Sequence, residues 1–467
     1  MKKTFFSVVL ILLVFLAASC ASVEETVPEY DTSSFDALNF AGAEFKYLTE
    51  ELEAFIGVKQ GTFLYDCAMQ RISDIEKTLN CVLTVEHSPT TSSHYDSCRA
   101  IIMSGLSPAD IMDFRSSNTT ANLAYAGCLY PLTEVHDIIR YEDSFKYGSA
   151  SVLECAMYNG VPYAVQPASW PGFPDAQCFF LTYNKDKTSS KGLPDLQEYY
   201  ENGTWTWSNF EDVLVSYTST DPGDPYVALA AHAKALVNMT LFSNGVKFAD
   251  YIDGKLQTDL YQPKVVNAIT WLQKIYSDYK SSILNIEYWS LLEFINGQSL
   301  MTFVSGAQAY NSDIQYNCDF TFGLMPFPCG PDATYGEWAN WREELYGVCM
   351  PVTVAEPEAT AQIISMLCEP FEEFGTNTEE LEEYYANNVF SSATDAEIYF
   401  EVGKYGRYIY WQVGGLNFTT GVIDNYSRRT AQQIVESYAS SMDEVIEKYI
   451  KPNFENYIYE VLYGGKG

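Results

Sequence analysis

Between residues 44 and 114 the apolar pattern switches repeatedly between strand and helix periods, and that alternation leaves few folds open. Residues 44–49 (EFKYLT) read as a short strand, followed by a polar loop that runs to Gly61. Leu64, Ala68, Ile72, Ile75 and Leu79 then recur at helical spacing. Residues 81–85 form the next strand, and 95–104 a helix stopped by Gly105. Residues 110–114 (DIMDF) are a third strand, ending at Arg115. Strand, helix, strand, helix, strand specifies a parallel sheet wound by right-handed crossovers. Ligands of such sheets sit beyond the carboxyl ends of the strands, so the loops after Thr49 and Phe114 lie on the functional edge.

A second constraint lies at residues 159–186, NGVPYAVQPASWPGFPDAQCFFLTYNKD. Two strand-like runs, 161–165 and 178–183, are separated by Pro167, Ser169, Trp170, Pro171, Gly172 and Pro174. A segment so rich in proline is neither helix interior nor central strand. It reads as a stiff crossing between two lobes, carrying a tryptophan at the cleft. Residues 326–331 (PFPCGP) read as a second crossing.

The chain has 467 residues, 47% of them hydrophobic, enough for two or three domains with proper cores. Its formal charge of −34 repels nucleic-acid phosphates and anionic lipid headgroups, which excludes nucleic-acid binding and leaves neutral or cationic ligands. Aromatics make up 15% of the chain, which suits both core filling and a ligand surface that stacks on rings.

The first residues set the compartment. Lys2 and Lys3 precede an apolar run over 5–16, too short for a comfortable membrane span. The run ends in Leu16-Ala17-Ala18-Ser19-Cys20, which resembles a bacterial lipoprotein processing site. That resemblance implies cleavage before Cys20, lipidation of its sulfur, and a product tied outside the cytoplasmic membrane by fatty acyl chains such as palmitate. Residues 21–35 read as a flexible tether. The ten remaining cysteines stand singly, many in apolar runs, and read as small buried hydrophobes.

Further along, Ser208 and Glu211 form an S-x-x-E capping box with Trp207 as a packing residue before it. Pro263 opens a helix whose inward face carries Val266, Ile269, Leu272 and Tyr276. Residues 300–304, 320–325 and 345–352 are strands, and Pro357 opens a helix to Cys368. The acidic stretch 376–385 reads as a solvated helix face. A last helical pattern from Ala431 to Tyr449 is expected to clasp the two halves.

The lipoprotein-like leader, NGVPYAV, LTYNKD, WTWSNFEDVL, GQSLMTFVSG, FGLMPFPCGP and YGVCMPV occur in one order. That order resembles the extracellular solute-binding proteins of family 1, the carbohydrate-binding components of ABC importers related to maltodextrin-binding protein. The resemblance implies an α/β fold of the two-lobed periplasmic-binding-protein type (class II), each lobe a central sheet flanked by helices, with a hinge of several crossings. Residues 1–20 are then the signal peptide. Residues 36–170 and 326–405 form lobe 1; 171–325 and 406–467 form lobe 2 with the closing helices. The implied partners are a carbohydrate ligand, the permease subunits of an ABC importer, and the membrane through the lipid anchor; a monomer is expected.

A pyranose presents an apolar C–H face and a rim of hydroxyls, so its site needs flat rings and bidentate polar groups. The candidates are Trp170 on the crossing, the dense cluster Trp338, Trp341 and Arg342, Tyr310 after the strand at 300–304, and Trp411 between two Gly-rich breaks. Asp113 and Arg115 flank the third strand and Glu50 follows the first. No cofactor or metal is expected. His87, His94, His136 and His232 are scattered without a nucleophile elbow, metal-binding motif or phosphate loop, so no catalytic set emerges. Two alternatives stay open on the sequence: a surface glycan-degrading enzyme, and a ligand-binding lipoprotein that feeds a sensor.

Overall fold

A computed structural model describes residues 35, 38–88, 91–115, 117–173, 178–252, 255–287, 290–310, 318–337, 340–342, 345–408 and 416–454. Ten strands build two five-stranded sheets. They are β1 (Ala43–Thr49), β2 (Cys81–His87), β3 (Ile111–Phe114), β4 (Ala164–Val165), β5 (Phe179–Asn184), β6 (Val227–Ala231), β7 (Ile283–Asn285), β8 (Ser299–Ser305), β9 (Phe322–Met325) and β10 (Gly347–Cys349). The first sheet has the order β2-β1-β3-β10-β4 and the second β7-β6-β8-β5-β9. Helices flanking them include α1 (Phe63–Leu79), α2 (Ala233–Ser243), α3 (Pro263–Asp278), α4 (Pro357–Leu367), α5 (Ala393–Lys404) and α6 (Ala431–Val445). The expected two-lobed α/β architecture is what forms.

Local chemistry accounts for the opening units. In α1, Thr62 accepts the Tyr65 N–H at 3.2 Å, and Asn80 ends the helix in the left-handed region at φ 49°. The buried face of α1 carries Leu64, Ala68, Ile72, Ile75 and Leu79, the spacing read from the sequence. Strand β1 alternates buried and half-buried residues from Phe45 onward. Strands β5 and β8 are buried along their whole length, as central strands covered on both faces must be.

The pairing directions decide where the two sheets meet. Strands β1, β2 and β3 run parallel, and β10 runs antiparallel to β3 with Gly347 opposite Phe114. Strands β6, β7 and β8 run parallel, and β5 runs antiparallel to β8 with Phe179 opposite Ser305. The chain therefore leaves β4 at the carboxyl edge of the first sheet and enters β5 at the carboxyl edge of the second. It leaves β9 at the carboxyl edge of the second sheet and enters β10 at that of the first. Both passages join the two functional edges, so these edges face each other across the waist of the molecule.

Several expectations change in detail. The segment 326–330 is not itself a crossing: Cys329 donates its N–H to the Trp205 carbonyl at 3.0 Å, and Phe327 packs on Phe210 and Phe303 beside the second sheet. The return passage lies further on and includes 340–342 and 345–346. The capping box at Ser208 does not form. The helix there, Trp207–Ser216, begins one residue earlier behind Thr206, and Glu211 accepts from Trp271, Lys274 and Tyr279 instead. Trp207 is a packing residue, its ring stacked on Trp271 at 4.1 Å. Of the stretch 326–405, β10 joins the first sheet and α4 packs on α1, whereas α5 lies on β9 of the second. The ten described cysteines are free thiols, and all but Cys318 are buried.

The residues after the closing helix reach back toward the hairpin before β4. Helix α6 packs on α3, and beyond it Asn453 accepts the Gly160 N–H at 2.8 Å, on the side of the first sheet. Cys20 and the leader lie outside the described residues. No helix among the described residues is long and apolar enough to cross a membrane.

Candidate ligand-binding site

On the first sheet, β1 and β3 end side by side, and their loops are stitched together by the residues that the sequence singled out. Asp113 Oδ1 accepts the Glu50 N–H at 2.8 Å. Glu50 in return accepts the Arg115 N–H at 2.6 Å, and the Arg115 guanidinium reaches Glu51 at 3.2 Å. Asp113 is buried, while the Arg115 side chain keeps 41% of its surface exposed. Asp113 therefore positions the loop, and Glu50, Glu51 and Arg115 form a partly exposed polar rim at this edge. His94 lies beneath, its Nε2 3.1 Å from the Asp113 carbonyl oxygen. Burial lowers its pKa, which favours the neutral ring.

Burial pushes the Asp113 carboxyl from its ordinary 3.8 up to about 6, against the Glu50 N–H and the Thr49 and Tyr47 hydroxyls, which favour the anion. Oδ2 itself lacks a hydrogen bond of good geometry among the described residues. In the folded chain this carboxyl holds its proton up to about pH 6. In the unfolded chain it releases the proton near pH 4. Its contribution to stability is thus complete below about pH 4 and lost as pH rises through about 6, a change on the order of 2–3 kcal/mol. Asp113→Asn, which keeps an oxygen for the Glu50 N–H, is expected to remove that slope and to equal or exceed the wild type in urea stability at pH 8. An unchanged slope between pH 4 and 6 would show that Asp113 ionises freely.

On the second sheet, Phe179 opens β5 and stacks on Trp341 with centroids 4.3 Å apart and planes at 12°. Trp341 belongs to a short strand, Asn340–Arg342, that runs parallel to Gly406–Tyr408. Asn340 holds this strand to β5 by donating its side-chain amide to the Phe179 carbonyl. The Lys234 ammonium, in the first turn of α2, stands 5.2 Å from the Trp341 centroid. The Trp341 ring is fully buried, yet its indole N–H has no partner among the described residues. A buried unsatisfied donor costs about 1–3 kcal/mol, so this N–H is a place where an internal water is favoured.

Other candidates take different roles. Trp170 is not a cleft platform: it is fully buried, donates Nε1–H to the Glu369 carbonyl at 3.2 Å, and packs on Phe173 and Phe371. Ser169, donating to the Cys368 carbonyl at 3.2 Å, and the Trp170 indole hold the crossing onto the end of α4. Arg342 is buried as well, donating Nη2–H to the Gly403 carbonyl at 3.2 Å at the end of α5, where a cation suits the helix dipole. Tyr310 ends a short helix, Gly306–Tyr310, directly after β8 at the facing edge. Trp338 and Trp411 lie outside the described residues.

Four contributors were not singled out in the sequence. Glu51 adjoins Glu50 in a Thr-Glu-Glu run after a strand, and its acidity was the available signal. Phe179 is the first residue of the strand after the crossing. Lys234 follows a strand end by three residues, and Tyr346 packs on Phe173 at 5.6 Å beside the return passage. Among the described residues, no group of three or more His, Cys, Asp or Glu side chains is arranged to hold a metal ion.

The architecture has close relatives in shape. An ABC substrate-binding protein of Listeria monocytogenes, solved with cycloalternan, aligns at a TM-score of 0.60 and 15% identity over 87% of this chain and 99% of its own. The sugar-binding protein MalE of Xanthomonas citri aligns at 0.61 and 13% identity over 91% of this chain and 100% of its own. UgpB of Mycobacterium tuberculosis, solved with glycerophosphocholine, aligns at 0.59 and 17% identity over 87% and 99%. At these identities the likeness is one of fold. No curated protein matches the chain in sequence. The profile of the bacterial extracellular solute-binding proteins, however, matches residues 71–372, more than half of the chain. The resemblance read in the sequence therefore holds, and the chain belongs to the bacterial extracellular solute-binding proteins, binders of solutes rather than enzymes.

Proposed function

We propose that this protein is a lipid-anchored receptor that captures a neutral sugar or oligosaccharide between its two lobes and delivers it to an ABC importer. The observation that carries the reading is the pair of facing carboxyl edges, one with the Glu50–Glu51–Arg115 rim and the other with Lys234 beside the buried Trp341–Phe179 stack. Carboxylates and a guanidinium suit vicinal hydroxyls, and the chain's charge of −34 disfavours anionic solutes. The Listeria relative was solved with cycloalternan, which fits a saccharide ligand. Cys20, at the end of its small-residue run, is the proposed lipid attachment point.

In this reading lobe 1 comprises the first sheet with α1 and α4, and lobe 2 the second sheet with α2, α3, α5 and α6. A ligand touching both rims binds the closed arrangement better than the open one and shifts the population toward closure. The closed receptor is then what the permease subunits recognise. The receptor acts as a monomer.

Calorimetry of the soluble Cys20→Ser protein against maltotriose, cello- and xylo-oligosaccharides and glycerophosphocholine tests the ligand class. Saccharide binding is expected; binding of glycerophosphocholine alone would overturn it. Arg115→Ala should weaken saccharide binding about 10- to 100-fold, the worth of a charged hydrogen bond. It should cost less than about 1 kcal/mol of stability, because its ion pair is half exposed. An Arg115→Ala protein that binds like the wild type would remove this rim from the site.

A further inference from the structure

A groove of about 370 Å³ lies away from both facing edges, between the start of α3 and the flank of α6. Its floor is apolar and buried, with Val435 and Ala439 of α6 each only 3% exposed. Tyr261 stands over this floor with 59% of its surface exposed, and its hydroxyl donates to Asp443 at 2.7 Å. That bond fixes an aromatic ring in solvent next to an apolar trough. Pro263, exposed in the first turn of α3, extends the flat surface beside it.

The rim is polar and carries spare hydrogen-bonding capacity. Gln432 donates its amide to Glu436 Oε1 at 2.8 Å in an exposed bond, which does not use the Gln432 oxygen or Glu436 Oε2. No lysine, arginine or histidine lines the groove among the described residues, and the nearby Lys264 is spent on Asp259 and the Gly245 carbonyl. A site without a cation on a chain of charge −34 does not attract phosphate, sulfate or carboxylate groups. An exposed ring beside an apolar trough, with amide and carboxylate acceptors at its border, matches the C–H face and hydroxyl rim of a pyranose. The volume falls within the range of small-ligand sites and accommodates one or two sugar units.

We infer that this groove is a second, external site for a neutral glycan chain, stacked on Tyr261. It would hold a polymer or long oligosaccharide against lobe 2 while the cleft takes a shorter piece. The assignment stands on the groove's own residues and survives if the cleft binds another solute.

The test is affinity electrophoresis of the soluble full chain through native gels containing glycogen, dextran, xylan or the anionic polymer alginate. The wild type and Tyr261→Phe should be retarded by at least one neutral polymer. Tyr261→Ala should bind that polymer about 2- to 10-fold more weakly, the contribution of one stacked ring. Its melting midpoint should stay near that of the wild type, and its calorimetric affinity for maltotriose, which reports the cleft, should be unchanged. Retardation with no cleft binding of any saccharide would support the groove and overturn the cleft reading alone. Absence of retardation by every neutral polymer, equal retardation of Tyr261→Ala, or retardation by alginate as strong as by the neutral polymers would each overturn the inference.

Discussion

Asp395→Ala is expected to lower the unfolding free energy by about 3–5 kcal/mol, the cost of leaving a buried charge without its partner. Asp395 is fully buried near the start of α5, where five groups converge on its two oxygens. Oδ1 accepts the Leu324 N–H at 2.8 Å and the Gln197 amide at 2.7 Å. Oδ2 accepts the Ser391 and Ser392 hydroxyls at 3.0 and 2.7 Å and the Lys185 ammonium at 3.0 Å. The carboxylate thus joins β9, the helix Leu196–Glu201, the residue after β5 and the start of α5 in one network. Alanine removes the acceptor of the Lys185 ammonium and of four other donors at once. A domain of ordinary stability has only about 5–15 kcal/mol in hand, so urea unfolding should move to a much lower midpoint. Asp395→Asn, which keeps the Oδ1 bonds and loses the charge, should fall between. A loss below about 1 kcal/mol for the alanine variant would mean that water replaces the network without cost.

Trp170→Ala is expected to cost a comparable amount, about 3–5 kcal/mol, as a large ring removed from a packed interior. The ring fills the space between Phe173 and Phe371 and caps the Glu369 carbonyl. Around it, Arg71 donates to the carbonyls of Met366, Glu369 and Pro370, and Ser169 donates to that of Cys368. These bonds satisfy the carbonyls at the end of α4, which no further helical turn can reach. The first crossing is therefore riveted to that helix end. Saccharide affinity should change only as far as the crossing shifts, and Trp170→Phe should lose less in both respects. A Trp170→Ala protein of wild-type stability but abolished ligand binding would return the ring to the cleft.

The Trp170 case shows where sequence reasoning runs out. Proline and glycine flanks state that the chain is stiff and extended there, and they state it equally for a ring turned outward and a ring turned inward. Which way it turns depends on α4, almost two hundred residues later in the chain. Glu50, Asp113 and Arg115 were legible for the opposite reason. Parallel strands of one sheet end on the same edge by topology, so strand ends alone placed the loops of these three there. The opening of the first sheet was legible from period, because β1, β2 and α1 bury the residues that their spacing marks, whereas β6 and β7 of the second sheet were not read. Short-range signals misled where long-range contacts claimed the same residue. Glu211 had the position of a capping partner, but Trp271, Lys274 and Tyr279 hold it. The prolines at 326–331 described a non-helical segment accurately, and only pairing with Trp205 and Thr206 kept it on the second sheet.

The bond from Asn453 to Gly160 has a mechanical consequence. Two chain passages at the waist would let the lobes both bend and twist about each other. A further attachment, at the hairpin Met157–Pro162 and reached from the far side through α6, fixes a separate point on each body. Bodies pinned at separated points resist torsion and sliding and keep mainly one rotation, in the way a door on spaced pivots has only its swing. In the closure proposed above, the motion is then directed along a single coordinate, and a bound solute is engaged along that same arc.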